Sequence, residues 1–237
     1  MERPEHLEEA TTLEEFRTQF TGRIFLCGNG PSMNKLTDWQ KERLKEHEYT
    51  FSGSRWFEWS KGWGTDFYIL TERKQASEYK ERGFDRGSGN ICRFFVTWQP
   101  APKGWIPVPR PPSNAHDVLN YGMRGLWSCG QGNDGKPHLH HGKDTPLAMA
   151  QVARYMGFGQ MYLIGCDTEG TARSYDSAPR NMHAGGIMDD YYRRAGKELG
   201  IIDCTIDGRL GRVGALPYED LDEVLKSEGV GSVRVND

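Results

Sequence analysis

The sequence has no apolar run of the roughly 20 residues that a membrane-spanning helix needs. Its opening Met1-Glu2-Arg3-Pro4-Glu5 is charged where a secretory leader would carry an apolar core, so a cytoplasmic protein is expected. Cysteine is sparse: Cys27, Cys92, Cys129, Cys166 and Cys204 are odd in number, scattered, and form no C-x-x-C pair. That excludes a disulfide framework and gives no sign of a zinc ribbon. Cys27, Cys166 and Cys204 each close an apolar run and are expected to be core thiols at strand ends. Positive charge is not in excess either. The net charge of −3 argues against a protein that coats polyanions, although a local basic groove stays compatible with it. Internal repeats and a clear second domain are absent, and 237 residues suffice for one substantial core.

What is present is an alternation of short apolar runs with helical patterns. Strands are predicted at 23–27, 49–52, 66–70, 91–96, 160–165 and 201–204. Helices are predicted at 7–20, with Thr11 or Thr12 as cap ahead of Glu14 or Glu15, and at 36–47, 75–82, 145–156 and 186–199. This order implies an α/β, Rossmann-like fold: a mostly parallel sheet with helices on both faces, in a single domain over 1–237. Six prolines between 97 and 113 exclude helix and central strand there. Residues 97–144 therefore read as an irregular insertion or lid. His138, His140 and His141 lie within it and read as a histidine-bearing loop rather than a metal centre, because no further zinc ligands stand at a definable spacing. A weakly ordered tail is expected after Ser227. Seven tryptophans suggest a surface for planar ligands or sugars, while for any single one of Trp56, Trp59 and Trp63 packing on a helix face or loop is the expected role.

In open α/β sheets the ligand lies beyond the carboxyl ends of the strands. Three predicted strand exits carry the polar candidates: Gly28-Asn29-Gly30, Asp167-Thr168-Glu169, and residues 205–209. In the first, a glycine turn followed by Pro31-Ser32-Met33 could bring backbone N–H groups and a helix start to a phosphate, or could be a tight turn without a ligand. Asp167 could hold a ribose or a metal, or cap the turn after its strand. The spacing of Asp167 and Glu169 is compatible with a divalent ion on a nucleotide diphosphate. His183 has the intrinsic pKa of a general base at neutral pH, and could also be a surface histidine.

Gly28-Asn29-Gly30-Pro31-Ser32-Met33 resembles the G-N-G-P-S-L signature of the bacterial lipo-oligosaccharide sialyltransferases and of the related 6-hydroxymethylpterin pyrophosphokinase-like group. The resemblance continues through the small-residue helix at 145–157, through Tyr162-Leu163-Ile164-Gly165-Cys166-Asp167, and at His183 and the helix at 191–199. It is broken across 97–144. It implies a Rossmann-like fold with a lid and an inverting sugar transfer. Gly28, Asn29, Gly30 and Ser32 would form the donor corner, with His183 deprotonating the acceptor hydroxyl. Tyr175 and nearby Arg173 would stabilise the departing phosphate.

The chain departs from that pattern at three positions. Ser54 and Thr71 stand where the sialyltransferases hold the donor with asparagines, and Glu169 replaces a phosphate-binding tyrosine. The donor implied is a nucleotide-sugar, CMP-, UDP- or GDP-linked, with magnesium or manganese bridging Asp167 or Glu169 in the latter two cases. The acceptor is open between a glycan, a small metabolite and a hydroxylated DNA base, the last served by Arg110, Arg124, Lys136 and Lys143. Two other functions stand beside this one: ATP-dependent diphosphate transfer of the pterin-kinase-like kind, and a non-catalytic nucleotide-binding module.

Overall fold

The computed structural model describes residues 10–60, 63–71, 92–97, 101–109, 130–131, 137–138, 145–168 and 186–227. Strand β1 (Arg23–Cys27) is buried along its whole length, and alternate side chains feed different layers. Ile24 and Leu26 join one apolar cluster, Phe25 and Cys27 the other. A strand covered on both faces reads as an unbroken apolar run, which is why it sits inside a parallel sheet. Strands β2 (Thr50–Gly53), β3 (Phe67–Leu70), β4 (Cys92–Thr97) and β5 (Ile106–Pro109) extend the sheet on one side of β1. A short antiparallel pair, β6 (Gly130–Gln131) and β7 (Pro137–His138), forms a second sheet beside β5. Strands β8 (Gln160–Ile164) and β9 (Ile201–Asp203) lie on the other side, giving the order β5-β4-β3-β2-β1-β8-β9 with every pair parallel.

Helices cover both faces, as the alternation predicts. Among the described residues the helices are α1 (Asp38–His47), α2 (Trp56–Ser60), α3 (Thr145–Met156), α4 (Gly186–Leu199), α5 (Arg209–Arg212) and α6 (Leu221–Lys226). α3 presses Leu147, Ala148, Ala150 and Val152 onto the Ile24 face, where Tyr192 and Ala195 of α4 join it. Leu44 of α1, Trp56 of α2 and Leu221, Val224 and Leu225 of α6 fill the Phe25 face. Cys27, Cys92, Cys166 and Cys204 are all buried thiols, and burial pushes the Cys27 and Cys204 thiols well above their ordinary range. Trp56 and Trp63 are buried with ring centroids 5.2 Å apart, so those two serve packing. Trp59 is partly buried and donates through Nε1 to Asn34 Oδ1 at 2.8 Å. Among the described residues no helix is long and apolar enough to cross a membrane.

Two expectations change. The helix predicted over 7–20 is, in its described part, a single 3₁₀ turn at Leu13–Phe16. Thr12 caps it, with its N–H and hydroxyl both donating to Glu15 Oε1. The turn stops because Thr18 adopts φ +52° and the next N–H groups go elsewhere: Thr18 donates to Tyr155 O and Phe20 to Met156 O, at the end of α3. The proline-rich stretch, read as an irregular insertion with no helix or central strand, supplies β5, whose Ile106 and Val108 are buried against β4. Proline is tolerated there because β5 is an edge. The helix predicted at 75–82, Cys129 and residues 228–237 lie outside the described residues, as does most of the predicted lid.

The amino end of β1 is fastened by Arg23, which is 9% exposed and faces Glu48 at 5%. Its Nε donates to Glu48 Oε2 at 2.9 Å and Nη2 to Glu48 Oε1 at 2.5 Å, while Nη1 reaches Val224 O at 3.0 Å and Ser227 Oγ at 2.9 Å. A buried charge left without its partner is costly, whereas replacing both by apolar groups is often neutral. Arg23→Met should therefore cost about 3–5 kcal/mol in urea unfolding. Arg23→Met combined with Glu48→Leu should recover most of that loss; an additive double variant would mean the pair does not act as a unit.

Candidate functional site

The chain leaves β1, builds β2 to β5 on one side, and returns to the far side of β1 for β8 and β9. The reversal puts a topological switch point between β1 and β8, the place where such sheets hold ligands. The three exits singled out from the sequence meet there. Gly28 N–H donates to Ile164 O and Gly30 N–H to Gly165 O, each at 2.7 Å. Cys166 N–H donates to Thr205 Oγ1 at 3.2 Å, and Lys35 Nζ pairs with Asp207 Oδ2 at 2.8 Å, so the β9 exit is tied in as well. Arg209, at the end of that segment, pairs with Asp189 of α4, Nη2 to Oδ2 at 2.7 Å.

The glycines of the first exit are required by this approach. A Cβ on Gly28 would stand 2.3 Å from Gly165 O, and one on Gly30 would stand 1.7 Å from Asp167 Oδ2. Gly165 itself has φ +66° and lies under Met33. The expectation that the turn offers N–H groups and a helix start to a phosphate is accordingly corrected. Gly28 and Gly30 spend their N–H groups on carbonyls of the β8 exit, and Pro31–Lys35 is a five-residue 3₁₀ turn rather than a helix. Ser32, 2% exposed, gives its N–H (3.3 Å) and its Oγ hydroxyl (2.8 Å) to Asp167 Oδ2.

Asp167 is thus an internal acceptor. Burial raises its carboxyl above the usual carboxylate range, opposed by the two Ser32 bonds and the charge of Lys35. An oxygen that already takes two donors is a poor cation ligand, and among the described residues no three side chains group to hold a metal. The Oδ2 of Asp167 is committed to Ser32, and Glu169, the other residue of the magnesium or manganese expectation, lies outside the described residues. Asp203, fully buried, is used in the same way: Oδ1 accepts from Thr205 N–H at 3.0 Å and Oδ2 from Gly211 N–H at 2.8 Å.

Against this well-paired background two polar atoms stand out. Asn29 donates through Nδ2 to Gly53 O at 3.1 Å, at the neighbouring β2 exit, but its Oδ1 is buried without a partner. Thr168 Oγ1 is also buried without a partner, on a residue held at φ +52°. An unsatisfied buried polar atom costs about 1–3 kcal/mol, so two at one switch point mark a place for a ligand to complete. Ser54, predicted to face the donor, has φ +55°; its hydroxyl pairs with Thr145 Oγ1 at 2.7 Å and its carbonyl accepts from Tyr68 OH. Thr71 follows β3, half-buried. Thr168 was given no role of its own by sequence reasoning, and its identity does not advertise a left-handed backbone. Arg173, Tyr175 and His183 lie outside the described residues, as do His140 and His141.

No family model matches the chain, and no curated protein is similar to it in sequence. Among solved structures, the MAf glycosyltransferase from Magnetospirillum magneticum AMB-1 is similar in fold, with a TM-score of 0.54 at 13% identity. That match covers 97% of this chain but 40% of the other, so this chain spans well under half of its length. The sialyltransferase CstII from Campylobacter jejuni, in complex with the substrate analogue cytidine-5'-monophosphate, gives a TM-score of 0.48 at 13% identity, over 84% of this chain and 86% of that one. The first likeness shows the α/β Rossmann-like fold.

Because burial raises the folded-state pKa of Asp167, protonation favours the folded form. The desolvation penalty is present at neutral pH and disappears as pH falls through the raised value. Asp167→Asn, which keeps the shape without the charge, should match or exceed the parent in stability near neutral pH and lose ground to it on acidification. Urea unfolding across a pH series measures the gap; a gap that does not move with pH would mean that Asp167 is not desolvated.

Proposed function

We propose that the chain is a glycosyltransferase that moves a sugar from a nucleotide-sugar to an acceptor hydroxyl, with the donor lying across the switch point between β1 and β8. The observation that carries the reading is the buried, unpartnered Oδ1 of Asn29 at that switch point. A base amino group or ribose hydroxyl would supply the donor it lacks, and Thr168 Oγ1 offers a second polar contact across the crevice. Ser54 and Thr71, at the exits of β2 and β3, extend the same rim. Gly28, Gly30, Ser32 and Asp167 shape the corner through their bonds to one another.

The chemistry is carried by residues that the motif resemblance assigns. The acceptor oxygen attacks the anomeric carbon, the bond from that carbon to the phosphate oxygen breaks, and the configuration inverts. His183 takes the acceptor proton, and the nucleotide leaves with its charge balanced by Tyr175 and Arg173. The similarity in fold to a protein described as a glycosyltransferase supports the reading at the level of scaffold, and scaffolds host many reactions. A CMP-, UDP- or GDP-linked donor is compatible with the rim, and glycan, metabolite and hydroxylated DNA base remain the acceptor classes.

A thermal-shift panel of CMP-, UDP- and GDP-sugars against ATP tests this. A ligand at 100 times its Kd adds about 2.7 kcal/mol to the folded state, several degrees for a domain of this size. One nucleotide-sugar class should raise the melting temperature, Asn29→Ala should abolish that rise, and His183→Ala should keep it while losing turnover. Stabilisation by ATP alone would favour diphosphate transfer instead. Full function in His183→Ala would leave a binding module.

A further inference from the structure

We infer that Asp167 is a positioning residue, which acts through Ser32 to hold the β1 exit against the β8 exit and thereby sets the place of Asn29. The bonding is concentrated in three residues of the β1 exit. Gly30 N–H goes to Gly165 O at 2.7 Å, and Ser32 gives both N–H and Oγ–H to one oxygen of Asp167, at 3.3 and 2.8 Å. Gly28 N–H is fixed on Ile164 O at 2.7 Å, so Asn29 lies between two anchored neighbours and projects Nδ2 to Gly53 O at 3.1 Å.

The carboxylate also fills space that a side chain on residue 30 would need, 1.7 Å from where its Cβ would stand. Gly30 and Asp167 therefore require each other: the glycine admits the carboxylate, and the carboxylate closes the gap the glycine leaves. Lys35 at the end of the same turn is tied to Asp207 at 2.8 Å, which extends the clasp to the β9 exit. Removing the Asp167 side chain leaves the Gly28 bond in place but takes away the carboxylate packed against Gly30 and both Ser32 bonds, so the loosening should be local and should reach Asn29 from its carboxyl side.

The importance of Asn29 for a ligand rests on the transferase reading; the clasp exists in the free protein and is measured there. Amide hydrogen exchange and the side-chain amide signal of Asn29 are followed in the parent, Asp167→Ala, Asp167→Asn and Ser32→Ala, with CMP, UDP and GDP then titrated into each. Asp167→Ala should speed exchange at residues 29–33 by about tenfold or more while Ile24 and Leu26 stay protected, as local opening would. It should also shift the Asn29 signal.

Asp167→Asn, which keeps an acceptor oxygen, should restore most of both. Ser32→Ala should fall between and add little to Asp167→Ala. Whichever nucleotide the parent binds should bind Asp167→Ala about tenfold more weakly. In turnover, the donor KM should rise while kcat is held. Equal acceleration in β1 and its exit, or an unmoved Asn29 signal, would reduce Asp167 to a general stabilising group and overturn the assignment. Should Asp167→Ala not fold, Ser32→Ala gives the same local readout. If the parent binds none of the three nucleotides, the donor reading fails, while exchange and the Asn29 signal still decide the clasp.

Discussion

The close approach of two strand exits, β1 to β8, is the constraint on which the site depends. Parallel neighbours in a sheet can bring their ends together only where side chains do not intervene, and Gly28, Gly30 and Gly165 meet that condition at three successive contacts. The Cβ distances of 2.3, 1.7 and 2.4 Å are all below what real Cβ atoms show. Gly28 thus admits the Gly165 carbonyl, Gly30 the Asp167 carboxylate and Gly165 the Met33 side chain. Whatever binds at the crevice meets a surface already shaped by this contact.

Polar groups in that contact divide into two kinds. Asp167 and Asp203 lose solvent and are compensated by donors from the protein, Ser32 in one case and Thr205 with Gly211 in the other. Burial outweighs those bonds, so both carboxyls are raised above their ordinary values. Asn29 Oδ1 and Thr168 Oγ1 are buried without any such compensation. The contrast is informative because both kinds occur within one small region: a sheet able to pair two carboxylates leaves two neutral acceptors unpaired beside them.

Much of the scaffold was legible in the sequence because its strands are apolar on both faces and its helices are punctuated. The run ending at Cys27 and the run ending at Gly165 predict strands of a mostly parallel sheet, whose pairing with each other only the structure gives, and α4 spans Gly186–Leu199 as its pattern indicates. Tertiary context decided the rest. Thr18 and Phe20 bond to α3 instead of extending a helix, and β5 accepts two prolines because, among the described residues, no strand pairs with its outer edge in the sheet. Within the site, strand exits pointed to Asn29 and Asp167, and the motif resemblance gave Asn29, Ser32 and Ser54 donor roles, but neither could foresee the bonds these residues make within the protein. Which carboxylate oxygen meets which donor depends on distances that spacing does not encode. The positive φ at Ser54 and Thr168 is invisible in residue types that seldom adopt it.

The two ends of the sheet are built on opposite principles, and this explains why the candidate site sits where it does. At the amino end of β1, Arg23 is saturated: Glu48, Val224 and Ser227 take its donors, and the charge is neutralised within the protein. At the carboxyl end the backbone is clamped as firmly, but the clamp leaves acceptors over. A rigid frame with incomplete hydrogen bonding favours a ligand, since the ordering has been done before the ligand arrives and the missing donors are the ligand's to supply. Clasp and orphaned acceptors are therefore one arrangement: Gly28 and Gly30 anchor the residues on either side of Asn29, and Asp167 with Ser32 holds the turn that follows, so the unpaired oxygen stays at the crevice. Holding it in place is what makes the crevice selective for something that donates.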